Sequence, residues 1–372
     1  MSAVPLAYLR QNISASWAAD CFPAVPLGRF PTPLEKVDAP GNAELWIKRD
    51  DLSGQRYGGN KVRKLELLMG AAIARDARSV ITFGAAGSNH ALATALTAQE
   101  LGLRCVNILG PQVNSAAVRR NLMASFRAGA QLVYAAWRDT PLVTVREFFR
   151  LWREDGCAPS VIPPGGSSPL GALGFVNAAL ELADQWAQQA EGPPPDVLYV
   201  ASGTMATSVG LAAGLALAGW PTRVEAVRVT VPPFTSMARA RAMYRGIGAL
   251  LSKAGLRLPA WQEGRFRLRD EFFGGEYARH TPEAVAAVRL AWERWGIRLE
   301  GTYTGKTMAA CLHDLGRGEM SGKRIVFWNT YNSRRAVYEE DADTLTDEMW
   351  RALPAPFHCY FEEPVQELDA VM

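Results

Sequence analysis

The sequence has few of the residues that metal sites and disulfide frameworks require. Its 372 residues include four histidines and five cysteines. The histidines form no H-E-x-x-H cluster, and no C-x-x-C spacing occurs among Cys21, Cys105, Cys157, Cys311 and Cys359. An odd number of scattered cysteines argues against a disulfide framework and a zinc site. We therefore expect no metal ion and reduced thiols, which fit a cytoplasmic protein.

The sequence also lacks an excess of charge and any long apolar run. Lys and Arg number 40 against 37 Asp and Glu, which gives a formal net charge of +3. No basic block stands out, so we expect no nucleic-acid partner. No stretch approaches the ~20 apolar residues of a membrane span, and the first residues lack the basic start and apolar run of a secretory signal. We expect a cytoplasmic protein of one or two domains without a membrane partner.

Short apolar segments alternate with amphipathic ones along the chain. Strands are predicted at "ELWIKRDD", "SVITFG", "RCVNILG", "QLVYAAW", "VLYVAS", "RVEAVRVTV" and "RIVFWN". The segment "NKVRKLELLMGAAIAR" is predicted to be a helix with Asn60 as its N-cap. Alternation of this kind predicts parallel βαβ units, and therefore an α/β fold with helices on both faces of the sheet.

One strand-to-helix turn has the chemistry of a phosphate site. In "VLYVASGTMATSVGLAAG" a buried strand ends at Ser202 and a helix is predicted to begin near Val209. The hydroxyl groups and free backbone N–H groups between them lie at the positive end of a helix dipole, which suits a phosphate. The loop matches neither G-x-x-x-x-G-K-[ST] nor G-x-G-x-x-G, so a phosphate monoester is favoured. A polar turn capped by Ser and Thr remains the alternative.

Two further turns carry polar or basic residues at predicted helix starts. "FGAAGSNHALATA" places Ser88, Asn89 and His90 there, and "YGGNKVRK" places Lys61 and Lys64 on one helical face. Taken alone, each is better explained as a helix cap or as a solvated basic edge. Together with the phosphate loop they suggest pyridoxal 5'-phosphate, whose aldehyde reacts with a lysine and whose phosphate needs a cradle.

The segments "LWIKRDDLSG", "GGNKVRKLELL", "SNHA", "IPPGGSSPLGALGF", "VASGTMATSVGLAAGL" and "YTGKTMA" together resemble the 1-aminocyclopropane-1-carboxylate deaminase / D-cysteine desulfhydrase family. That family belongs to the tryptophan-synthase-β-like, fold-type II pyridoxal-phosphate enzymes. The resemblance runs from about Phe30 to Thr330. It implies two open, twisted, mostly parallel sheets flanked by helices, with the cofactor in the cleft between two domains. It also implies a large domain (1–63 and 176–372, with a C-terminal tail from about 336), a small domain (64–175) and a homodimer.

The resemblance further implies roles for individual residues. Lys61 would bind the cofactor aldehyde, Lys64 and the loop would hold the phosphate, and Asn89 would contact the phenolic oxygen. The catalytic set is Lys61, Ser88, Tyr277 and Tyr303. The cofactor-binding set is Lys61, Lys64, Asn89, Ser202, Gly203, Thr204, Met205, Ala206, Thr207, Thr304 and Thr330. The substrate-binding set is Ser88, Asn89, His90 and Tyr331.

Departures from the family's pattern bear on the substrate. Deaminases of the family have a glutamate after the tyrosine matched by Tyr303, to protonate the ring nitrogen, whereas this chain has Thr304, as the desulfhydrases do. The weaker electron sink disfavours opening of a cyclopropane and favours β-elimination from a small cysteine-like amino acid, which gives a 2-oxo acid and ammonia. A deaminase remains the first alternative. A β-replacement enzyme of specialised metabolism is another, because Tyr331 and Asn332 stand where the family has glycines.

Proteins of two other classes could share parts of this pattern. A nicotinamide-dependent oxidoreductase would share the α/β alternation, but its fingerprint loop is absent from the sequence. A non-catalytic binding protein could keep the phosphate loop, but it would have no use for Lys61 behind two glycines. A pyridoxal-phosphate-dependent lyase is the favoured interpretation.

Overall fold

The computed structural model describes residues 5–12, 22–334 and 349–371. The strands in this part are β1 (Leu34–Val37), β2 (Glu44–Lys48), β3 (Ser79–Ala85), β4 (Arg104–Gly110), β5 (Gln131–Tyr134), β6 (Ser160–Ile162), β7 (Val197–Ser202), β8 (Arg223–Arg228), β9 (Phe266–Arg269) and β10 (Arg324–Trp328). The α-helices are α1 (Ala7–Arg10), α2 (Lys61–Ile73), α3 (Asn89–Glu100), α4 (Ala116–Arg127), α5 (Thr140–Asp155), α6 (Pro169–Gln189), α7 (Ala206–Leu217), α8 (Met237–Lys253), α9 (Pro282–Trp295), α10 (Thr304–Gly316) and α11 (Cys359–Glu362). None of the described helices is long and apolar enough to cross a membrane.

The strands form two sheets in which parallel pairing dominates. One sheet has six strands in the order β1-β2-β10-β7-β8-β9, and only β1 runs antiparallel to its neighbour. The other has four parallel strands in the order β5-β4-β3-β6. The predicted α/β class with two mostly parallel sheets and flanking helices is confirmed. The four-stranded sheet lies within the range 64–175, while the domain limits and the homodimer stay predictions.

Helices α6 and α7 cover one face of the six-stranded sheet at very close range. The strand β7 beneath them is buried along its whole length, as expected for the near-continuous apolar run "VLYVAS". A Cβ atom at Gly210 would lie 2.5 Å from the Ala172 carbonyl oxygen, and one at Gly214 would lie 2.5 Å from the Val176 carbonyl oxygen. The two glycines of α7 therefore allow its backbone to rest on α6, which fixes the position of the α7 N-terminus.

The helix starts differ in two places from the sequence predictions. Helix α7 begins at Ala206 rather than near Val209, because Met205 adopts a left-handed conformation (φ 74°) that turns the chain into the helix earlier. Asn60 precedes α2 as predicted, but its side chain does not cap that helix. Instead its amide donates a hydrogen bond of 3.0 Å to Thr207 Oγ1, which ties α2 to α7.

A buried network of charges anchors α2 to the rest of the fold. The Arg63 guanidinium bonds Asp50 at 2.8 Å and Glu181 of α6 at 2.9 Å. Glu181 also accepts a bond from Lys48 at 2.5 Å, and all four side chains are at most 1% exposed. Burial alone would raise the pKa of Glu181, but Arg63 and Lys48 outweigh it and lower the pKa to about 2.

The C-terminal segment 349–371 packs against the four-stranded sheet with its helices and against the loop that precedes α9. Leu353, Phe357 and Tyr360 are buried in the core of the four-stranded sheet and its helices. At the far end of the segment, Gln366 accepts a hydrogen bond of 2.8 Å from the His280 N–H and donates one of 3.1 Å to the Ala278 carbonyl. The predicted tail therefore lies against the body from residue 349 onward, and residues 335–348 lie outside the described residues.

We predict that Glu181→Ala lowers the free energy of unfolding at pH 7 by about 3–5 kcal/mol, because it leaves two buried cations uncompensated. The pKa of Glu181 is lower in the folded protein, so its stabilising contribution is present above the unfolded value of 4.5 and is lost as the pH falls through about 2. Urea denaturation at several pH values measures both effects. The control Arg241→Ala removes an exposed ion pair with Glu263 and should change little. A loss below about 1 kcal/mol for Glu181→Ala would contradict the anchoring role.

Candidate active site

A cavity of about 910 Å³ opens between the two sheets. Gly84 and Ala85, at the carboxyl end of β3, line it from the four-stranded sheet. Ala201 and Ser202, at the carboxyl end of β7, line it from the six-stranded sheet. Carboxyl ends of parallel strands are where α/β proteins bind their ligands, and the N-termini of α2, α3 and α7 meet at this cavity.

Lys61 is the first residue of α2 and lines the cavity. The two glycines before it allow a close approach of three chain segments. A side chain at Gly58 would clash with the Asp51 carbonyl, and a Cβ atom at Gly59 (φ 87°) would lie 2.7 Å from the Tyr331 carbonyl oxygen. The backbone N–H groups of Gly59 and Asn60 donate to the carbonyls of residues 50 and 330. The start of α2 is thus held firmly against the six-stranded sheet.

The Lys61 amine is set up as a nucleophile and base. No hydrogen bond or ion pair joins its Nζ to another of the described residues. Burial lowers the pKa of Lys61 to about 8, although the nearby Glu300 carboxylate acts in the opposite direction. The neutral form, which nucleophilic attack on an aldehyde requires, is therefore far more populated near physiological pH than for an ordinary lysine.

Lys64, one turn further along α2, is a buried lysine beside the phosphate loop. Its side chain is 2% exposed, and its Nζ donates to the Gly165 carbonyl at 3.1 Å. Burial lowers the pKa of Lys64 well below its usual value, and Lys61 lowers it further. A bound anion would stabilise the charged form, because a carbonyl oxygen alone cannot compensate a buried ammonium group.

The N-terminus of α7 completes an anion site next to Lys64. Its first backbone N–H groups have no acceptor within the helix and carry the positive end of its dipole. Hydroxyl groups of the loop are already oriented by neighbours: Thr204 Oγ1 bonds Ser167 Oγ at 2.5 Å, and Thr207 Oγ1 accepts the Asn60 amide. Gly165, with φ 65°, lies against Thr204 and leaves no room for a side chain there.

The start of α3 presents Ser88, Asn89 and His90 to the same cavity. Ser88 caps the helix by accepting the Ala91 N–H at 3.2 Å. Asn121 donates to Asn89 Oδ1 at 2.9 Å, so the Asn89 amide group remains a donor toward the cavity. Burial lowers the pKa of His90 well below its usual value, and Lys61 and Lys64 add to the effect. His90 is therefore a neutral ring at pH 7.

Two tyrosines and a glutamate form the wall on the six-stranded-sheet side. The hydroxyl groups of Tyr277 and Tyr303 share a short hydrogen bond. Burial raises the pKa of Tyr277 to about 12 and raises that of Tyr303 well above its usual value, so both are protonated at pH 7. Glu300 accepts the backbone N–H groups of residues 302, 303 and 304 at 2.8–2.9 Å and so holds the start of α10. This wall offers hydroxyl donors beside a fixed carboxylate.

The structure brings most of the predicted site residues together. The cavity is lined by Lys61, Lys64, Ser88, Asn89, His90, Ser202, Gly203, Thr204, Met205, Thr207, Tyr277, Tyr303, Thr330 and Tyr331. Ala206 lies behind the wall as the first residue of α7, so only its backbone could contribute. Asn332 is turned away and accepts the Gly58 N–H at 2.7 Å, which supports the segment before Lys61.

Thr304 is the exception that matters for the predicted reaction. It is fully buried outside the cavity wall, and its hydroxyl accepts the Glu300 N–H at 2.9 Å. As the first residue of α10, its side chain is turned into the helix start rather than toward the cavity. The contact between Thr304 and the ring nitrogen of a cofactor therefore stays a prediction.

Several residues of the site were missed by the sequence reasoning. Glu300 could have been recognised, because an acidic residue just before a helix commonly interacts with the first-turn N–H groups. The contact of Asn121 with Asn89 carried no signal in the sequence. The same holds for the aromatic residues Phe83, Trp137 and Phe234, which reach the cavity from three separate strand ends.

The residues present fit pyridoxal phosphate. The Lys61 amine, whose pKa is lowered to about 8, suits its aldehyde, and Lys64 beside a helix N-terminus suits its phosphate. The Asn89 amide N–H group has no acceptor among the described residues and lines the same cavity. Among the described residues, no group of three His, Cys, Asp or Glu side chains could hold a metal ion.

Comparisons with known proteins agree with this chemistry. The family model "Pyridoxal-phosphate dependent enzyme" matches residues 25–330. The chain is 34% identical to nocardicin C-9' epimerase of Nocardia uniformis subsp. tsuyamanensis over 91% of this chain and 99% of that protein. It is 32% identical to D-cysteine desulfhydrase of Serratia proteamaculans (strain 568) over 78% of this chain and 88% of that protein. A crystal structure of an "ACC deaminase homologue" superimposes with a TM-score of 0.71 at 32% identity and covers 84% of this chain and 93% of that one.

We predict that capture of pyridoxal phosphate by the apoprotein becomes faster as the pH rises through about 8, because the neutral Lys61 amine is the reactive form. Glu300→Gln should move the midpoint to lower pH, since Glu300 raises the pKa of Lys61. The absorbance of the bound cofactor follows the reaction.

Borohydride reduction and peptide mapping then identify the labelled lysine. Lys306 is the internal control, because it is a lysine whose pKa burial also lowers to about 8 but which lies outside the cavity wall. Label on Lys61 alone is expected. Label on Lys64 or Lys306, or a rate of cofactor capture whose midpoint lies near pH 10.5, would contradict the assignment of Lys61 as the reactive amine.

Proposed function

Because the chain belongs to the pyridoxal-phosphate dependent enzyme family, we propose that it is a lyase acting on a free amino acid. Lys61 removes the Cα proton and a substituent leaves from Cβ, so that hydrolysis yields a 2-oxo acid and ammonia. The observation that carries the proposal is the Lys61 amine, which has a pKa of about 8 and no hydrogen-bond partner among the described residues, and which lies in the same cavity as an anion cradle. Relatives named as a desulfhydrase and as a deaminase homologue support it.

Bound pyridoxal phosphate supplies an electron-accepting ring that makes the substrate's Cα–H bond acidic. The chain's own residues provide the rest. Lys64 and the N-terminus of α7 hold the phosphate, and the Asn89 amide, oriented by Asn121, fixes the ring in the cavity. Lys61, with its pKa near the working pH, accepts and returns the proton.

The Tyr277–Tyr303 pair is the second proton-transfer unit of the proposed mechanism. Both hydroxyls are protonated at pH 7 and share one hydrogen bond, so one of them can donate a proton to a departing group while the other supports the resulting charge. Ser88 and the neutral His90 ring, at the α3 N-terminus, are placed to bind the substrate carboxylate.

Epimerisation at Cα is a second candidate. Two separate proton-transfer units, Lys61 and the tyrosine pair, line one cavity, which is what removal and return of a proton on different faces requires. The extent of the similarity to nocardicin C-9' epimerase, which covers nearly all of that protein, favours this candidate.

Reaction in D₂O distinguishes these activities. We expect one enantiomer of β-chloroalanine and of cysteine to release a 2-oxo acid and ammonia. We expect amino acids without a leaving group at Cβ to gain deuterium at Cα. Inversion of configuration without ammonia would favour the epimerase. 1-Aminocyclopropane-1-carboxylate has no Cα–H bond, so its efficient deamination would favour the ring-opening alternative.

In the same assay, Lys61→Ala should slow Cα deuteration by about 10²–10⁴-fold or more, because the general base is lost. Lys253→Ala at the end of α8 is the control and should leave the rate unchanged. Deuteration that survives in Lys61→Ala would contradict the role of Lys61.

We also predict that Thr207→Val weakens cofactor binding by about 1–3 kcal/mol, the range for hydrogen bonds to charged groups. The change removes one hydroxyl beside the α7 N-terminus and the acceptor of Asn60. Fluorescence titration of the apoprotein measures the affinity. Thr222→Val, where the hydroxyl donates to the Pro195 carbonyl outside the cavity wall, is the matched control. Equal affinities of both variants would mean that the loop merely caps the helix.

A further inference from the structure

The cavity is much larger than a cofactor and a small amino acid require. Pyridoxal phosphate has 16 non-hydrogen atoms and cysteine has 7. At on the order of 20 Å³ per atom in a close-packed site, the two together fill roughly 450 Å³. The cavity measures about 910 Å³, so about half of its volume is left over.

The surplus space has an apolar lining. We name as the apolar vestibule the six residues Phe83, Pro111, Trp137, Pro141, Val231 and Phe234. They belong to or follow the strands β3, β4, β5 and β8, or lie at the start of α5. The residues predicted to hold the cofactor come instead from the helix N-termini of α2, α3 and α7. The lining therefore combines polar residues predicted to hold the cofactor with apolar residues that come from other segments.

Trp137 is the most informative residue of the apolar vestibule. Its indole packs over Gly110 at the end of β4, where an added Cβ atom would lie 2.8 Å from the ring. The ring is nevertheless 50% exposed. A large aromatic surface that borders a cavity and remains half exposed to water gains free energy when an apolar ligand covers it.

Charge in the cavity also restricts the ligand. Among the described residues, the charged ones that line it are Lys61, Lys64, Glu276 and Glu300, and both lysines are predicted to hold the cofactor. No further Lys or Arg of the described lining is left to pair with the substrate side chain. A substrate portion that carries an anionic group would find no partner there, whereas an aromatic or uncharged portion would bury its surface.

We propose that the substrate is an amino acid with a large, uncharged, predominantly aromatic side chain, and that the apolar vestibule binds this side chain. The inference rests on the proposed function, because it assumes that the amino-acid end reacts beside Lys61. It differs from the small cysteine-like substrate expected from the sequence. Tyr331, which replaces a family glycine and lines the cavity, adds a further ring beside the reacting end.

Binding of α-methyl amino acids to the holoenzyme tests the inference without turnover at Cα, since these compounds have no Cα–H bond. We compare 2-aminoisobutyrate with both enantiomers of α-methyltyrosine by isothermal titration calorimetry. One enantiomer of α-methyltyrosine should bind at least about tenfold tighter than 2-aminoisobutyrate, because its ring covers apolar surface. Equal affinity, tighter binding of the smaller compound, or binding of neither would overturn the inference.

Variants show whether the apolar vestibule is responsible. Trp137→Ala and Phe234→Ala should each reduce the affinity ratio at least about threefold and leave the affinity for 2-aminoisobutyrate unchanged. Trp152→Ala is the matched control: Trp152 is 48% exposed on α5 but lies outside the cavity wall, so its loss should not alter the ratio. An unchanged ratio in both vestibule variants would contradict the inference.

The outcomes separate the inference from the proposed function. If the lyase proposal fails, no amino acid releases a 2-oxo acid and ammonia, while the affinity ratio for the two analogues is unaffected. If only the inference fails, small β-substituted amino acids react through Lys61 and the affinity ratio is near one.

Discussion

The position of α2 depends on the burial of one guanidinium group. Arg63 carries a full charge in the core and can remain there only because Asp50 and Glu181 accept its hydrogen bonds. These contacts tie α2 to α6 and to the segment that follows β2. Arg63 faces the core network, and Lys61 and Lys64 on the other side of the same helix face the cavity. The ion pairs therefore determine where the reactive amine lies.

Burial has opposite consequences for the charged residues on the two sides of α2. In the core, carboxylates compensate the cation, so Arg63 stays charged and contributes to stability. In the cavity, Lys61 and Lys64 have no such carboxylate in contact, so burial lowers the pKa of each. Lys61 becomes a nucleophile, and Lys64 becomes a group that a phosphate would recharge. Helix α2 thus carries one arginine that stays charged, Arg63, and two lysines, Lys61 and Lys64, whose protonation state depends on a ligand.

The residues that line the cavity bear on both the proposed reaction and the proposed substrate. Thr304 contacts Glu300 and does not line the cavity, so its contact with the ring of a cofactor stays a prediction. Glu300, which holds the start of α10 and lies near Lys61, is the residue that couples this wall to the reactive amine. The apolar vestibule lines the same cavity and is built from segments that are distant in sequence. Reaction and specificity are therefore assigned to different residues of the cavity.

The sequence by itself determined the α/β class, the parallel strands and the motifs that carry a lysine, a phosphate loop and a Ser-Asn helix start. Each of these is local, because strand periodicity, helix N-termini and glycine-rich turns depend on neighbouring residues. Only the tertiary structure decided the direction of Thr304, the contact of Asn121 with Asn89 and the assembly of the apolar vestibule. These depend on segments separated by tens to hundreds of residues. The pKa of Lys61 belongs to the same group, because it follows from how deeply the folded chain buries the amine and from the distance to Glu300.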